Sequence, residues 1–488
     1  MRELFDSLRP SLRLAPASAS ATADLPIGVA APTLRAPTQV RIGPVTARVA
    51  LAVVVIATFL VVATAAADPS VLVPASAETF PNWEAGPLHD ISVRLVTSPH
   101  IVGLVFSVLL VAMTIAWMLV IASVRTFSMR TIAIVVVALH AILLLSPPLQ
   151  LTDLFNYVGY ARLGALHHLN PYAHVIRQEM FDPVYRFTSW HSLRSPYGPL
   201  FTAFTYPLGL VSLPVAFWTL KSVTVALSLG FLALVWECAR RLGRDPRFPL
   251  AFTALNPIFL IYAVAGFHND FFMLTASMGA IALVLHRRGG WAGVLLVVAI
   301  AVKFTAVLLL PFLLLAARDR RRQVRLIVGV VLGAIPLAAL SLALFGLSIP
   351  NLQQQSSLLT DFSIPNVVGL LLHLGGGTPW LLRIATVAVV LVVAHQFWRR
   401  QWCNGAGWST LALIGSLAWL VPWYVVWLLP LAGLGTSLRL RRISIALTVF
   451  LLASFLPVTA QYMAAHNVNP LNTAAGQASM SLQDRLAH

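Results

Sequence analysis

The sequence predicts an all-α integral membrane protein built as one bundle of about thirteen membrane-spanning segments. Hydrophobic residues make up 58% of the chain and charged residues 10%, against the roughly 25% charged residues of a soluble domain. The mean hydropathy is +0.83. Apolar runs of about 15 to 25 residues alternate with short arginine-rich loops. A net charge of +17 would suit a nucleic-acid partner only if the basic residues shared one soluble surface. Here they are scattered between apolar runs, so no nucleic-acid partner is expected.

Residues 1–45, rich in Ala, Ser, Pro and Arg, predict a disordered cytoplasmic tail. The predicted spans are 46–67, 99–123, 131–147, 213–237, 249–266, 268–286, 290–303, 304–317, 325–346, 379–398, 407–420, 421–433 and 443–463. With a cytoplasmic N-terminus, every arginine cluster falls inside. The clusters are Arg125 and Arg130; Arg240, Arg241, Arg244 and Arg247; Arg287 and Arg288; Arg318 to Arg325; Arg399 and Arg400; and Arg439 to Arg442. The reading is a multi-pass plasma-membrane protein with a membrane domain over 46–465 and a short external tail over 466–488. Cys238 and Cys403 fall at cytoplasmic helix ends and read as free thiols.

Segments 290–303, 304–317, 407–420 and 421–433 are too short to cross a core of about 30 Å at about 1.5 Å per residue. Arginine loops flank each pair, so each pair must return to the side it left. Both are read as hairpins, re-entrant or interfacial, with Lys303 and Pro422 near their outer tips.

Unusual sequence collects in the outer loops. Loop 68–98 carries Asp68, Glu78, Glu84 and Asp90 against Arg94, and loop 347–378 carries Gln353, Gln354, Gln355 and Gly375-Gly376-Gly377. Loop 148–212 is dense in aromatics and His and ends in an apolar stretch, 199–212, suited to an interface.

Asp153 follows a span ending near Pro147 and Pro148, at the membrane surface. A helix over 153–162 would put Asp153, Tyr157 and Tyr160 on one face; the same residues also suit an aromatic belt with a capping Asp. His268-Asn269-Asp270, after Asn256-Pro257, form a polar turn between apolar spans, which suits either a site or turn capping. Trp190-His191 and Arg194-Ser195-Pro196-Tyr197-Gly198-Pro199-Leu200 supply a kinked outer segment with one guanidinium. Lys303 and Arg383 lie near outer helix ends, where such cations either snorkel or meet a lipid phosphate. No nucleotide-binding motif and no metal-ligand Cys/His spacing appears in the sequence. A transferase working outside the cytoplasm needs an activated donor already in the membrane.

Asp153 with Tyr157, Tyr160 and Asn170-Pro171-Tyr172, then Ser195 to Leu200, Asn256-Pro257, His268-Asn269-Asp270, Lys303 before Pro311, and Pro422-Trp423-Tyr424 resemble, in this order, the actinobacterial α-1,6-mannopyranosyltransferases of lipomannan assembly. The resemblance runs from about residue 100 to 465. It implies a GT-C membrane fold and transfer of mannose, with inversion, from a polyprenyl-phosphate donor to a glycolipid or glycan acceptor on the outer face. Membrane lipids and the polyprenyl-phosphate sugar are then the partners, and the α-1,6 linkage carries over. Asp153 matches the family's base. Tyr157, Arg162, Asn170, Tyr172, Arg194, Tyr197, His268, Asn269, Asp270, Lys303, Arg383 and Tyr424 are the candidate donor or acceptor contacts.

No cofactor is firmly implied. A second acid beside Asp153 is lacking, which leaves the need for a divalent metal open. The competing function is a flippase or transporter of lipid-linked sugars, which should show matching halves with broken helices and polar groups at mid-membrane depth. The chain shows no such self-similarity, and Lys221 is the main intramembrane cation.

Overall fold

The computed structural model describes residues 42–67, 70–74, 81–88, 98–351, 354 and 356–488. The expected tail up to Arg41, and Asp68, Glu78, Asp90, Arg94, Gln353 and Gln355, lie outside the described residues. The described residues are helical, with no strand among them.

The helices are α1 (Pro44–Ala65), α2 (Pro99–Ala122), α3 (Met129–Leu145), α4 (Leu154–Ala165), α5 (Pro199–Gly209) and α6 (Leu213–Arg241). They continue with α7 (Arg247–Ala254), α8 (Asp270–Leu285), α9 (Gly289–Val302), α10 (Leu310–Ala316), α11 (Arg320–Phe345) and α12 (Ile364–Leu371). The last six are α13 (Pro379–Trp398), α14 (Trp402–Ser416), α15 (Leu429–Leu434), α16 (Leu438–Phe455), α17 (Pro457–Ala465) and α18 (Ala474–Ala487). Every predicted span meets a helical segment. Among the described residues, five helices are long and apolar enough to cross a membrane, or up to seven if each bent pair is one span.

Exposed apolar surface marks which helices form the rim. α13 buries none of its residues, and Val387, Val390 and Leu391 stand open to the surroundings. Such a helix is stable only in an apolar solvent. The centre is the run from Pro249 to Phe271, buried throughout. Pro257 has no N–H to give, so the α7 hydrogen-bond ladder breaks there. The Asn256 side chain takes over by accepting from the N–H groups of Ile258 and Phe259, at 2.9 and 3.3 Å. A π-helical turn, Ile258–Val264, follows at a 54° bend.

α9 and α11 run side by side in the same direction, because Gly289 meets Arg322, Gly293 meets Leu326 and Gly333 meets Val294. The chain between them must therefore double back, through an extended Lys303, a 3-10 turn (Phe304–Leu309) and α10. This is the hairpin expected from the flanking arginines. The second pair breaks likewise between α14 and the 3-10 turn Pro422–Trp427.

The arginine loops gather at one end of the bundle. Arg247 donates to the carbonyls of Arg125 and Phe127, and Glu237 holds His286 at 2.9 Å. Arg244 and Arg441 both lie beside Cys403, and Asn404 bonds Thr436. Cys238 and Cys403 are free thiols.

The stretch 199–212 folds as α5 and the turn after it. α5 packs on α4, with Gly209 against the Ala161 carbonyl, while Phe204 and Leu210 stay exposed. The expected short tail also folds: α18 docks through Leu486 onto Leu193 and Leu358.

Candidate active site

Two loops at the end opposite the arginines are laced together. After α3, Ser146-Pro147-Pro148 ends the helix, and the Leu149 N–H donates to the Ala265 carbonyl at 2.9 Å. The Thr152 hydroxyl donates to the Gly266 carbonyl, and His268 Nε2 donates to the Leu151 carbonyl at 3.0 Å. Gln150 and Phe267 adopt left-handed φ angles of 57° and 53° to allow this closeness, a strained conformation that surrounding structure must hold.

Asp153 occupies the N-cap position of α4 without capping it, since Thr152 Oγ1 accepts the Leu154 N–H instead. Its carboxylate is left for other work. It lies half-buried among the rings of Tyr157, Tyr160 and Tyr197, and the Tyr197 hydroxyl donates to it. Tyr157 meets Tyr197 edge to face at 4.8 Å, and its hydroxyl accepts the Asn269 N–H at 3.1 Å. Burial raises the Asp153 carboxyl to about 6, against the opposing pull of Lys303 and Tyr197. The His268 ring is stacked on Trp423 at 3.8 Å.

The extended break at Lys303 turns that side chain back toward α8. Its Nζ lies 2.9 Å from Asp270 Oδ1, which also accepts from the Trp427 indole N–H. The ammonium stands over the rings of Tyr424 and Trp427 at 4.9 and 4.8 Å. Tyr424 belongs to the wall of an open cleft of about 610 Å³ that also includes Asp153 and Tyr197. Val302 and Thr305, on either side of Lys303, line two separate apolar grooves on the flank of the bundle. Lys303 thus stands on the partition between cleft and flank. Among the described residues, no three His, Cys, Asp or Glu side chains converge as a metal cage needs.

The family model described as alpha-(1->6)-mannopyranosyltransferase, N-terminal domain, matches residues 52–319. The chain belongs to this family. Alpha-(1->6)-mannopyranosyltransferase A of Mycobacterium tuberculosis is 28% identical over 362 residues, 65% of this chain and 66% of that protein. Alpha-(1->6)-mannopyranosyltransferase B of Corynebacterium glutamicum is 24% identical over 347 residues, 60% of this chain and 56% of that one. The matches thus span less than two thirds of these relatives' length. No solved structure matches the chain.

The region matched by the mannopyranosyltransferase family contains Asp153, the 268–270 turn and Lys303. The structure brings these together with Tyr157, Tyr197, Asn269 and Tyr424. Five expected contacts are not brought to the cleft. Arg162 is held by Asp182 at 2.8 Å and by the carbonyls of Gly209 and Val211. Asn170 bonds the Phe345 carbonyl, and the Tyr172 hydroxyl bonds the Tyr197 carbonyl. All three knit the loop together. Arg194 is exposed and is not among the residues lining the cleft, and Arg383 is exposed on α13. Lys221, on which a transporter would depend, is locked by the Ser146 carbonyl and the rings of Phe217, Trp218 and Phe267. Sequence reasoning missed Trp427, three residues past the Pro422-Trp423-Tyr424 run it had singled out. It also missed Asp361, Trp419 and Gln483, which line the cleft and carry no local signal.

Proposed function

We propose that this chain is an inverting mannosyltransferase of GT-C type, taking mannose from a polyprenyl-phosphate donor to a glycan or glycolipid acceptor on the outer face of the membrane. Membership of the mannopyranosyltransferase family supports the sugar and the α-1,6 linkage. The gathering of arginine loops opposite the cleft supports an extracytoplasmic site. The observation that carries the reading is the pairing of an uncapped carboxylate, Asp153, with a cation, Lys303, held at the edge of the apolar flank.

In this mechanism Asp153 accepts the proton of the acceptor hydroxyl as that oxygen bonds the anomeric carbon. The bond from that carbon to the phosphate oxygen breaks, and the lipid phosphate departs with its electron pair toward Lys303. One displacement inverts the anomeric carbon. A carboxyl near 6 is ionised at neutral pH yet basic enough to take the proton. Asp270 and Trp427 hold the lysine in place, and His268 and Tyr157 hold the two loops.

Membranes containing the protein, incubated with radiolabelled polyprenyl-phosphate mannose, should pass label to a mannoside acceptor with inverted configuration. Transfer seen only from a nucleotide-linked mannose would overturn the reading.

A further inference from the structure

The cleft is furnished unevenly. Among the described residues it is lined by Asp153 and Asp361 but by no Lys, Arg or His. Three indoles, Trp190, Trp419 and Trp423, line it, the first two edge to face at 5.9 Å. The Asp361 carboxylate and the side-chain amides of Gln150 and Gln483 make no hydrogen bond to another described residue, although each lines the cleft. Aromatic faces beside unpaired amides and a carboxylate match the alternating apolar faces and hydroxyls of a sugar ring. At about 610 Å³ the cleft has room for more than one ring.

This wall is built rather than loose. The loop carrying Asp361 is laced to the Trp419 segment, since the Thr360 N–H donates to the Ala418 carbonyl at 3.0 Å and the Leu420 N–H to Thr360 Oγ1 at 3.2 Å. α18, which carries Gln483, accepts the Ser192 N–H at Leu486 and the Leu359 N–H at Ser479, at 3.0 and 2.7 Å. Asp361, Gln483 and Trp190 are therefore fixed relative to one another by three separate stretches of chain.

We infer that the Trp190, Trp419, Asp361 and Gln483 end of the cleft is a binding subsite for an uncharged glycan chain, the acceptor, and that it excludes acidic or phosphorylated glycans. The inference rests on the proposed transferase function for the word acceptor. The charge argument is independent of it: among the described lining residues two carboxylates stand without a cation and disfavour an anion, and the Lys303 ammonium, outside the lining, is already held by Asp270. The anionic part of the donor is left to Lys303, behind Tyr424.

The test is binding, with the full chain in lipid nanodiscs and no turnover. Intrinsic tryptophan fluorescence is followed while a neutral α-1,6-linked mannotetraose, or the same tetraose carrying a terminal 6-phosphate, is added. The neutral sugar should bind at least about tenfold more tightly. Asp361→Asn should shrink that ratio, which a purely structural role would not do, and Gln483→Ala should weaken neutral binding about tenfold. Equal affinity for the two sugars, or an unchanged ratio in Asp361→Asn with unchanged binding in Gln483→Ala, overturns the inference. If the tetraose binds as expected but no mannose is transferred from the lipid donor, the subsite stands and the transferase reading falls.

Discussion

Lys303, at the turn of a hairpin, and Asp270, at the start of α8, meet at 2.9 Å, the carboxylate buried and the lysine side chain about a quarter exposed. That asymmetry leaves the lysine one free side. Its position is set by Asp270 and two aromatic faces, so its remaining hydrogens point in a defined direction.

Replacing Lys303 by Met should raise the apparent KM for the lipid-phosphate donor about tenfold to a hundredfold, the worth of one charge-assisted hydrogen bond. Asp270→Asn, which loosens the lysine without removing it, should do less. Donor titrations on membranes with matched protein levels decide this. An unchanged KM in Lys303→Met leaves the lysine a snorkelling residue.

Asp153→Asn should lower kcat about a hundredfold to ten-thousandfold while the protein remains folded in the membrane. The wild-type rate should also fall as pH drops through about 6, because the raised carboxyl is protonated below that value and is no longer basic enough to take the acceptor proton. Tyr197→Phe removes a donor that favours the ionised form, so its acid limb should move to higher pH. A pH–rate profile unchanged in Tyr197→Phe would sever the link between that hydroxyl and Asp153.

Glu84 gives a pH signature in stability. It is buried on the short helix Asn82–Ala85, and neither carboxyl oxygen has a partner among the described residues. Burial raises it from 4.5 to about 8, with Lys221 opposing. The folded state therefore holds a proton that the unfolded chain releases, so folding stability declines as pH rises from about 4.5 to about 8. Glu84→Gln, neutral throughout, should melt at higher temperature than wild type at pH 9, with the difference nearly gone at pH 5. Melting curves in detergent at the two pH values read this directly.

The crossing of α9 and α11 depends on bare backbone. A side chain at Gly329 would overlap the Gly290 carbonyl, which is backbone and cannot turn aside. Gly329→Val should destabilise by at least about 1–3 kcal/mol. Gly346, with open space around it and φ of 62°, suits Asn as a mild control. Expression yield and melting temperature of the two variants should separate cleanly.

Hydropathy is local, and what it encodes was legible. The apolar runs became helices, and the return at Lys303 followed from arginines on both sides of a pair too short to span. Asp153 stood out because prolines end the preceding helix. Pairings over distance left no such trace. Arg162 looked free for a phosphate until Asp182, twenty residues further on, took it. Arg383 resembled Lys303 in its place near a helix end. Only packing shows that Arg383 lies exposed on a rim helix while the other cation turns inward. Asp361 and Gln483 share a wall because backbone and side-chain hydrogen bonds join loop 358–361 to α18, 120 residues apart at Leu359 and Ser479. No window along the chain contains both.

α18 also has a practical meaning for anyone handling the protein. Ala487 lines the cleft, and His488 follows it directly. A purification handle or fluorescent partner fused there begins at the rim of the opening and pulls on the helix that fixes Gln483. Any preparation with a handle fused after His488 needs an unfused one beside it before low activity is read as a property of the molecule.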